Sequence, residues 1–364
     1  MNAFLSQIGY KIINTRVGQS VFRKNYLGRA LVRWAGSLSR MLPLDAPQYV
    51  MIDVCNVCNF KCVFCPTSDR DLLKSVGRKK GMMSFSFYQE IIDSLGAFDG
   101  KITVLSLHKD GEPLLNKNIA DMVAYAKKAK VSSTVEITTN ASRMFPDLSN
   151  KLIAAGLDSI RISIEHVSAE GYQKTTRNYK DYDQIVQNVS HLYHEARRRR
   201  SQLKILVKII DTGLSADEMD KFYRDFGGIS DIARVEGIMG WSYSELKDFT
   251  LGINPTVGMD GITPLKPERI VCPEPFKMLA INFDGSVSPC CDDWTLNLVL
   301  GNMNQESAIE IWNGARLSRI RELHLKNRRG ELAACAKCQY MLGVTDLFDL
   351  DRSRDALSKK LGYE

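Results

Sequence analysis

From residue 49 onward the chain alternates between short apolar runs and longer stretches in which apolar residues return every three or four positions. Near-continuous apolar runs mark strands buried on both faces, whereas the three-to-four spacing marks a helix with one buried face. The pattern predicts strands over 49–54, 102–107, 134–138, 159–164, 203–210 and 233–238, with helices over 85–95, 119–129, 147–155, 182–197 and 216–226 between them. Such βα units imply a parallel sheet covered by helices. Handedness and short connections leave a doubly wound sheet or a curved partial barrel.

In these folds the loops after the strands collect the chemistry. Here they carry CNFKCVFC, then Asp110, Gly111, Glu112 and Pro113, then Thr139, Asn140, Ala141 and Ser142. Glu165 and His166, Asp211, and the stretch from Met239 to Trp241 follow the remaining strands. After residue 250 the pattern breaks at Pro255, Pro264, Pro267, Pro273 and Pro275. A hairpin turning at Asp284 and Gly285 is expected next, then a helix over 309–327. The expected organisation is a helical segment over 1–48, an α/β domain over 49–250, a small metal-stapled domain over 251–345 and a tail over 346–364.

A chain of 364 residues has room for one barrel-sized domain and a smaller appendage. With 44% apolar and 25% charged residues it reads as an ordinary globular protein. No apolar run reaches the roughly 18 residues of a membrane span, and no secretion signal is read at the amino terminus, so the cytoplasm is the expected compartment. Of the +7 net charge, +6 lies in residues 1–48. Apolar residues recur there at loosely helical spacing, which suits an amphipathic segment touching an anionic membrane, nucleic acid or a partner. A helical lead-in packed on the main domain is the preferred reading. The arginine run 197–200 reads as the solvated end of a helix.

All nine cysteines fall in two groups: Cys55, Cys58, Cys62 and Cys65, then Cys272, Cys290, Cys291, Cys335 and Cys338. A disulfide framework would scatter them, whereas metal sites gather them at short spacing. The spacing C-x3-C-x2-C from Cys58 to Cys65 can hold three corners of a [4Fe–4S] cube. The fourth iron stays open to an amine and carboxylate chelate.

This loop resembles the signature of radical S-adenosylmethionine (SAM) enzymes. The resemblance implies a partial (β/α)6 TIM-like barrel, a cluster on Cys58, Cys62 and Cys65, and SAM on the open iron. Cys55 is taken as a buried non-ligand. Phe64 matches the adenine contact. Gly111 and Glu112 match a Gly-Gly-Glu-Pro strand end that receives the SAM amino group, with Asp110 in place of the first glycine. Asn140 falls in a Thr-Asn-Gly-type loop, Ser163 and Glu165 match ribose contacts, and Arg177 is a candidate partner for the SAM carboxylate.

Cys272, Gly285 and Cys290 are similar to the opening half of a SPASM domain, and Cys335 and Cys338 complete four thiolates. The resemblance implies one auxiliary [4Fe–4S] cluster, with Cys291 spare and able to trade places with Cys290. The same four thiolates alone would equally suit zinc. Asp292, Asp293, Glu236 and His166 are candidate bases.

The expected function is a radical SAM oxidoreductase that cleaves SAM to a 5′-deoxyadenosyl radical. It would abstract hydrogen from a small hydroxylated substrate, such as a sugar or aminocyclitol, and oxidise or rearrange it. The auxiliary cluster would accept an electron, and a flavodoxin or ferredoxin would serve as donor. A peptide- or protein-modifying enzyme is the runner-up. A zinc protein binding nucleic acid is the rival of another class, but its basic residues lack the aromatics and helix pattern of such a surface, so no nucleic acid is expected.

Overall fold

The computed structural model describes residues 37–242 and 246–363. Of the reading of 1–48 as an amphipathic lead-in or membrane contact, residues 1–36 lie outside them. One open, nine-stranded sheet in the order β6-β5-β4-β3-β2-β1-β7-β8-β9 organises the described residues. Its strands are β1 Tyr49–Ile52, β2 Ile102–Ser106, β3 Ser132–Thr139, β4 Ser159–Ile164, β5 Lys204–Asp211, β6 Ile232–Gly237, β7 Met278–Ile281, β8 Ser286–Ser288 and β9 Gly301–Asn302. Strands β1 to β6 pair in parallel. This is the expected partial barrel.

The helices are α1 Leu38–Met41, α2 Arg70–Ser75, α3 Phe85–Leu95, α4 Ile119–Ala129, α5 Pro146–Ala154, α6 Ala169–Thr176, α7 Tyr182–Arg198 and α8 Ala216–Phe226. Beyond the barrel follow α9 Glu274–Lys277, α10 Ala308–Trp312, α11 Ala315–Leu325, α12 Ala333–Ala336 and α13 Arg354–Lys360. Local signals start them where they start. The Ser215 hydroxyl accepts from the Glu218 backbone while the Glu218 carboxylate accepts from Ser215, which satisfies two exposed donors at the start of α8. The apolar face of the sheet, including Ile160, Ile162, Ile164, Ile205, Val207 and Ile209, shares one core with Leu152, Ile185, Leu192 and Phe222 of the helices.

Three features depart from the expected pattern. The sheet runs through the expected boundary at residue 250, because β7 pairs in parallel with β1 from Tyr49 opposite Met278 to Ile52 opposite Ile281. The expected hairpin then returns as β8, turning at Gly285, whose φ of +86° favours glycine. The helix expected over 309–327 is two helices, because the chain breaks between Trp312 and Ala315. Finally, 346–364 is not a loose tail. Leu350 and Leu357 are buried against Leu38, Leu42, Val271 and Phe276 in a second apolar cluster.

Ile281, fully buried, pairs with Ile52 on one side and Val287 on the other. Ile281→Ala should lower unfolding stability by about 2–5 kcal/mol. Because one sheet joins both regions, probes in the barrel and beyond residue 272 should report a single shifted transition in denaturant titration.

Candidate active site

The loop after β1 is pinned from two sides. The Lys61 and Val63 amides donate to the Thr176 and Thr175 carbonyls at 3.1 and 3.0 Å, at the end of α6. Phe60 anchors the same loop, its ring 4.7 Å from Tyr179 and 6.2 Å from Tyr172. This fixed path holds Cys58, Cys62 and Cys65 as free thiols close enough to oppose one another's ionisation. Burial, more than that repulsion, pushes Cys58 up to about 12 and raises Cys62 and Cys65 as well. Thiols so placed become thiolates only against bound positive charge, which fits an iron–sulfur cluster. The chain already supplies donors to one of the sulfurs: Phe60 N at 3.4 Å and Asn140 Nδ2 at 3.9 Å approach Cys58, while the Cys65 thiol donates to the Thr67 hydroxyl at 3.1 Å. Cys55 stands apart. It forms an isolated bridge with Met82, and its thiol donates to the Val57 carbonyl.

Behind this loop, Gly111 allows the end of β2 to approach. A Cβ there would lie 2.2 Å from the Cys55 carbonyl oxygen. Buried Glu112 ties three segments together, accepting from Leu114 N at 3.0 Å, Thr139 Oγ1 at 2.7 Å and Asn140 N at 2.7 Å. A carboxylate offers roughly four lone-pair sites, so one remains for a ligand amino group. Desolvation raises Glu112 to about 7. Glu165 is also buried, and desolvation raises it to about 7, with Cys62 as its hydrogen-bond partner. Phe64 is buried in the core, Ser163 is half-buried on β4, and Arg177 is exposed just past α6 at a φ of +65°. Asn140 therefore meets the cysteine loop directly, through Cys58 and, at 3.1 Å, Asn59 Oδ1.

Asp110, which stands where a glycine was expected, has its charge satisfied within the fold. Its carboxylate accepts from Lys109 Nζ and Arg78 at 2.7 Å each, and Arg78 also reaches Asp53 at 3.8 Å and Asn282 at 3.2 Å. Both cations are almost wholly buried. Its backbone carbonyl accepts from Thr67, the neighbour of Cys65.

The polar inner face of the barrel escaped the sequence reading. Tyr49 donates to Glu136, Arg161 lies 3.4 Å from Glu136, and Lys208 bonds Glu236 at 2.7 Å, with Arg234 on the same carboxylate. Desolvation pushes His108 in this lumen down to about 4, with the cations Lys208, Arg161 and Lys109 nearby. The signal was period-two polarity: Arg161, Ser163 and Glu165 alternate with buried isoleucines along β4.

The second cysteine group lines one cavity. Cys272, Cys290, Cys335 and Cys338 face it together with Asp292 and His324, whereas Cys291 does not. Instead Cys291 lies near Lys109, Glu274 and Lys277. Ser242, in the loop after β6, donates to Asp292 at 2.9 Å and so ties that loop to the second cysteine region. Among the described residues, no three His, Cys, Asp or Glu side chains are grouped to hold a single metal ion. Four half-buried free thiols around one cavity suit the wider cubane cluster. Of the candidate bases, Glu236 is taken by Lys208 and Arg234, Asp293 accepts from the Asn297 and Leu298 amides, and His166 faces Glu218 at 3.3 Å. Asp292 is buried and raised to about 6 by desolvation, and it lies near Lys109.

Two family models match the chain: the radical SAM superfamily over residues 52–222 and the SPASM iron–sulfur cluster-binding domain over residues 272–339. The chain belongs to the radical SAM superfamily. As a radical SAM enzyme it uses SAM and a [4Fe–4S] cluster, and its SPASM domain carries auxiliary iron–sulfur. It is 21% identical over 291 residues to the S-adenosyl-L-methionine-dependent 2-deoxy-scyllo-inosamine dehydrogenase of Niallia circulans, covering 79% of this chain and 91% of that one. It is 26% identical over 174 residues to the GTP 3′,8-cyclase of Shewanella denitrificans, a match spanning 48% of each chain, about half the length of that relative. Among solved structures, BtrN in complex with AdoMet and 2-DOIA shares the fold at a TM-score of 0.51 and 18% identity, over 83% of this chain and 97% of that one. SuiB of Streptococcus suis bound to precursor peptide SuiA does so at 0.58 and 14%, over 81% and 71%. Among the described residues, no helix of this radical SAM enzyme is long and apolar enough to cross a membrane.

Asp110→Asn would leave Arg78 and Lys109 buried against a neutral partner. Unfolding stability should fall by about 3–5 kcal/mol in denaturant titration.

Proposed function

We propose that this radical SAM enzyme oxidises an alcohol carbon of a small polyhydroxylated substrate, a sugar or aminocyclitol, to a carbonyl. The observation that carries this reading is the lumen, where the donors Tyr49, Arg161 and Lys208 and the acceptors Glu136 and Glu236 project from β1 and from β3 to β6. A substrate with many hydroxyls can use the lone pairs and N–H groups these pairs leave over, whereas an apolar one would only desolvate them. The likeness to the 2-deoxy-scyllo-inosamine dehydrogenase over 79% of the chain supports it.

In this reading Cys58, Cys62 and Cys65 hold the SAM-binding cluster, and Cys272, Cys290, Cys335 and Cys338 hold the auxiliary one. With SAM bound, these groups supply a hydrogen-abstracting 5′-deoxyadenosyl radical and an acceptor for the second electron. Glu112 receives the SAM amino group on its remaining lone pair, Arg177 pairs with the carboxylate, and Ser163 and Glu165 take the ribose hydroxyls. Phe64 packs on the adenine. Asp292 is the group that accepts the substrate hydroxyl proton, since Ser242 N and the Cys338 thiol engage its Oδ2 and leave Oδ1 for the substrate. Lys109, a buried cation near Asp292, steadies the negative charge that forms on the substrate oxygen. A flavodoxin or ferredoxin delivers the first electron.

The test incubates reduced enzyme and SAM with panels of sugars, aminocyclitols and peptides, following 5′-deoxyadenosine and products by mass spectrometry. A product two hydrogens lighter than a sugar or cyclitol supports the reading; a modified peptide in its place overturns the substrate class. Cys62→Ala should abolish 5′-deoxyadenosine altogether. Cys335→Ala should spare uncoupled cleavage and remove the oxidised product, and normal turnover by that variant would contradict the electron-accepting role.

A further inference from the structure

Outside the reacting groups, one buried side chain faces the auxiliary cavity with a hydrogen bond unspent. His324 sits in the last turn of α11 at 1% exposure and lines the cavity with Cys272, Cys290, Cys335 and Cys338. Its Nδ1 accepts from the Cys272 backbone N–H at 3.3 Å. A neutral imidazole whose Nδ1 accepts must carry its proton on Nε2, so that nitrogen is a donor. Nε2 is buried and has no partner among the described residues.

A buried donor without an acceptor costs stability, and native folds seldom leave one unmet. No neighbouring carboxylate reaches Nε2: Asp292 Oδ2 accepts from Ser242 N and the Cys338 thiol, and Asp293 accepts from the amides of Asn297 and Leu298. The cavity also presents Tyr340 and Glu274, the latter held by Lys277 at 2.7 Å, and the four cysteine sulfurs. Hydrogen bonds to cluster sulfurs are one of the main settings of reduction potential, because they stabilise the more negative, reduced state.

We propose that His324 is a positioning and tuning residue for the auxiliary cluster: its Nε2–H donates to a cluster sulfur, raising the potential, while its Nδ1 holds the backbone of the ligand Cys272. This rests on the assignment of the four cysteines as cluster ligands, and it adds a residue that acts on the cluster rather than on the substrate. The bond keeps the cluster ready to take an electron. Arg329, whose guanidinium donates to the Cys335 carbonyl in the same cavity, adds positive charge in the same sense.

The test reads the cluster, not the substrate. The full chain carrying Cys58→Ala, Cys62→Ala and Cys65→Ala is reconstituted with iron and sulfide, so only the auxiliary cluster is titrated by electron paramagnetic resonance. Adding His324→Leu should weaken reduction by roughly tenfold, a downward shift of about 59 mV for one electron. His324→Gln, which can still present an N–H near the Nε2 position, should recover most of the shift. An unchanged midpoint in His324→Leu with iron retained overturns the proposal.

Should His324→Leu fail to hold a cluster, the histidine-15N-labelled parent decides the matter. A nitrogen coupling to the reduced cluster by pulsed resonance supports the hydrogen bond, and its absence overturns it. Iron near zero in the parent, where about four per chain are expected, would overturn the cysteine assignment and this proposal with it. Substrate oxidation would then be examined on its own terms, so the two failures are distinguishable.

Discussion

Burial opposes ionisation of three thiols that the loop after β1 forces together. Cys58, Cys62 and Cys65 are free, their pKa values are raised chiefly by desolvation, and Cys58 and Cys65 add to the cost of charging Cys62. Only bound positive charge relieves this arrangement, and much of the surrounding structure serves to keep it in place. The α6 end clamps the loop from one side, and Glu112 draws the ends of β2 and β3 behind it.

The same economy of charge extends towards the second domain. Asp110 and Lys109 sit side by side at the end of β2. Asp110 carries the backbone oxygen that holds Thr67 beside Cys65, while Lys109 lies near Cys291 and Asp292. A short polar route therefore links the two cysteine sites. The β1–β7 pairing makes the linkage rigid, since the sheet itself passes from one region to the other. The charged lumen thus lies on one side of this route and the cavity of half-buried thiols on the other.

Much of this was legible in the sequence. The helices over 85–95, 119–129 and 216–226 fall where their periodicity put them, as does the strand over 159–164. What escaped has physical reasons. Strands were taken as apolar throughout, so the alternate polar positions of β4 and β5 were not recognised as a lumen face. Residues 350 and 357 looked like parts of a tail because their partners, Leu38 and Leu42, lie at the other end of the chain. Cys290 and Cys291 could not be separated, since adjacent residues differ only in the direction their side chains take. The fold turns Cys290 to the cavity and Cys291 towards Lys109. Nor does any spacing rule find His324, whose significance depends on a single backbone amide.

The most direct test is electron paramagnetic resonance of the reduced, oxygen-free enzyme before and after SAM is added, in a Cys335→Ala, Cys338→Ala background that isolates the cluster on Cys58, Cys62 and Cys65. A cluster with one open iron should change its signal on SAM addition, and SAM labelled with 15N at its amino group should show a nitrogen coupling. A spectrum that is identical with and without SAM would contradict the account.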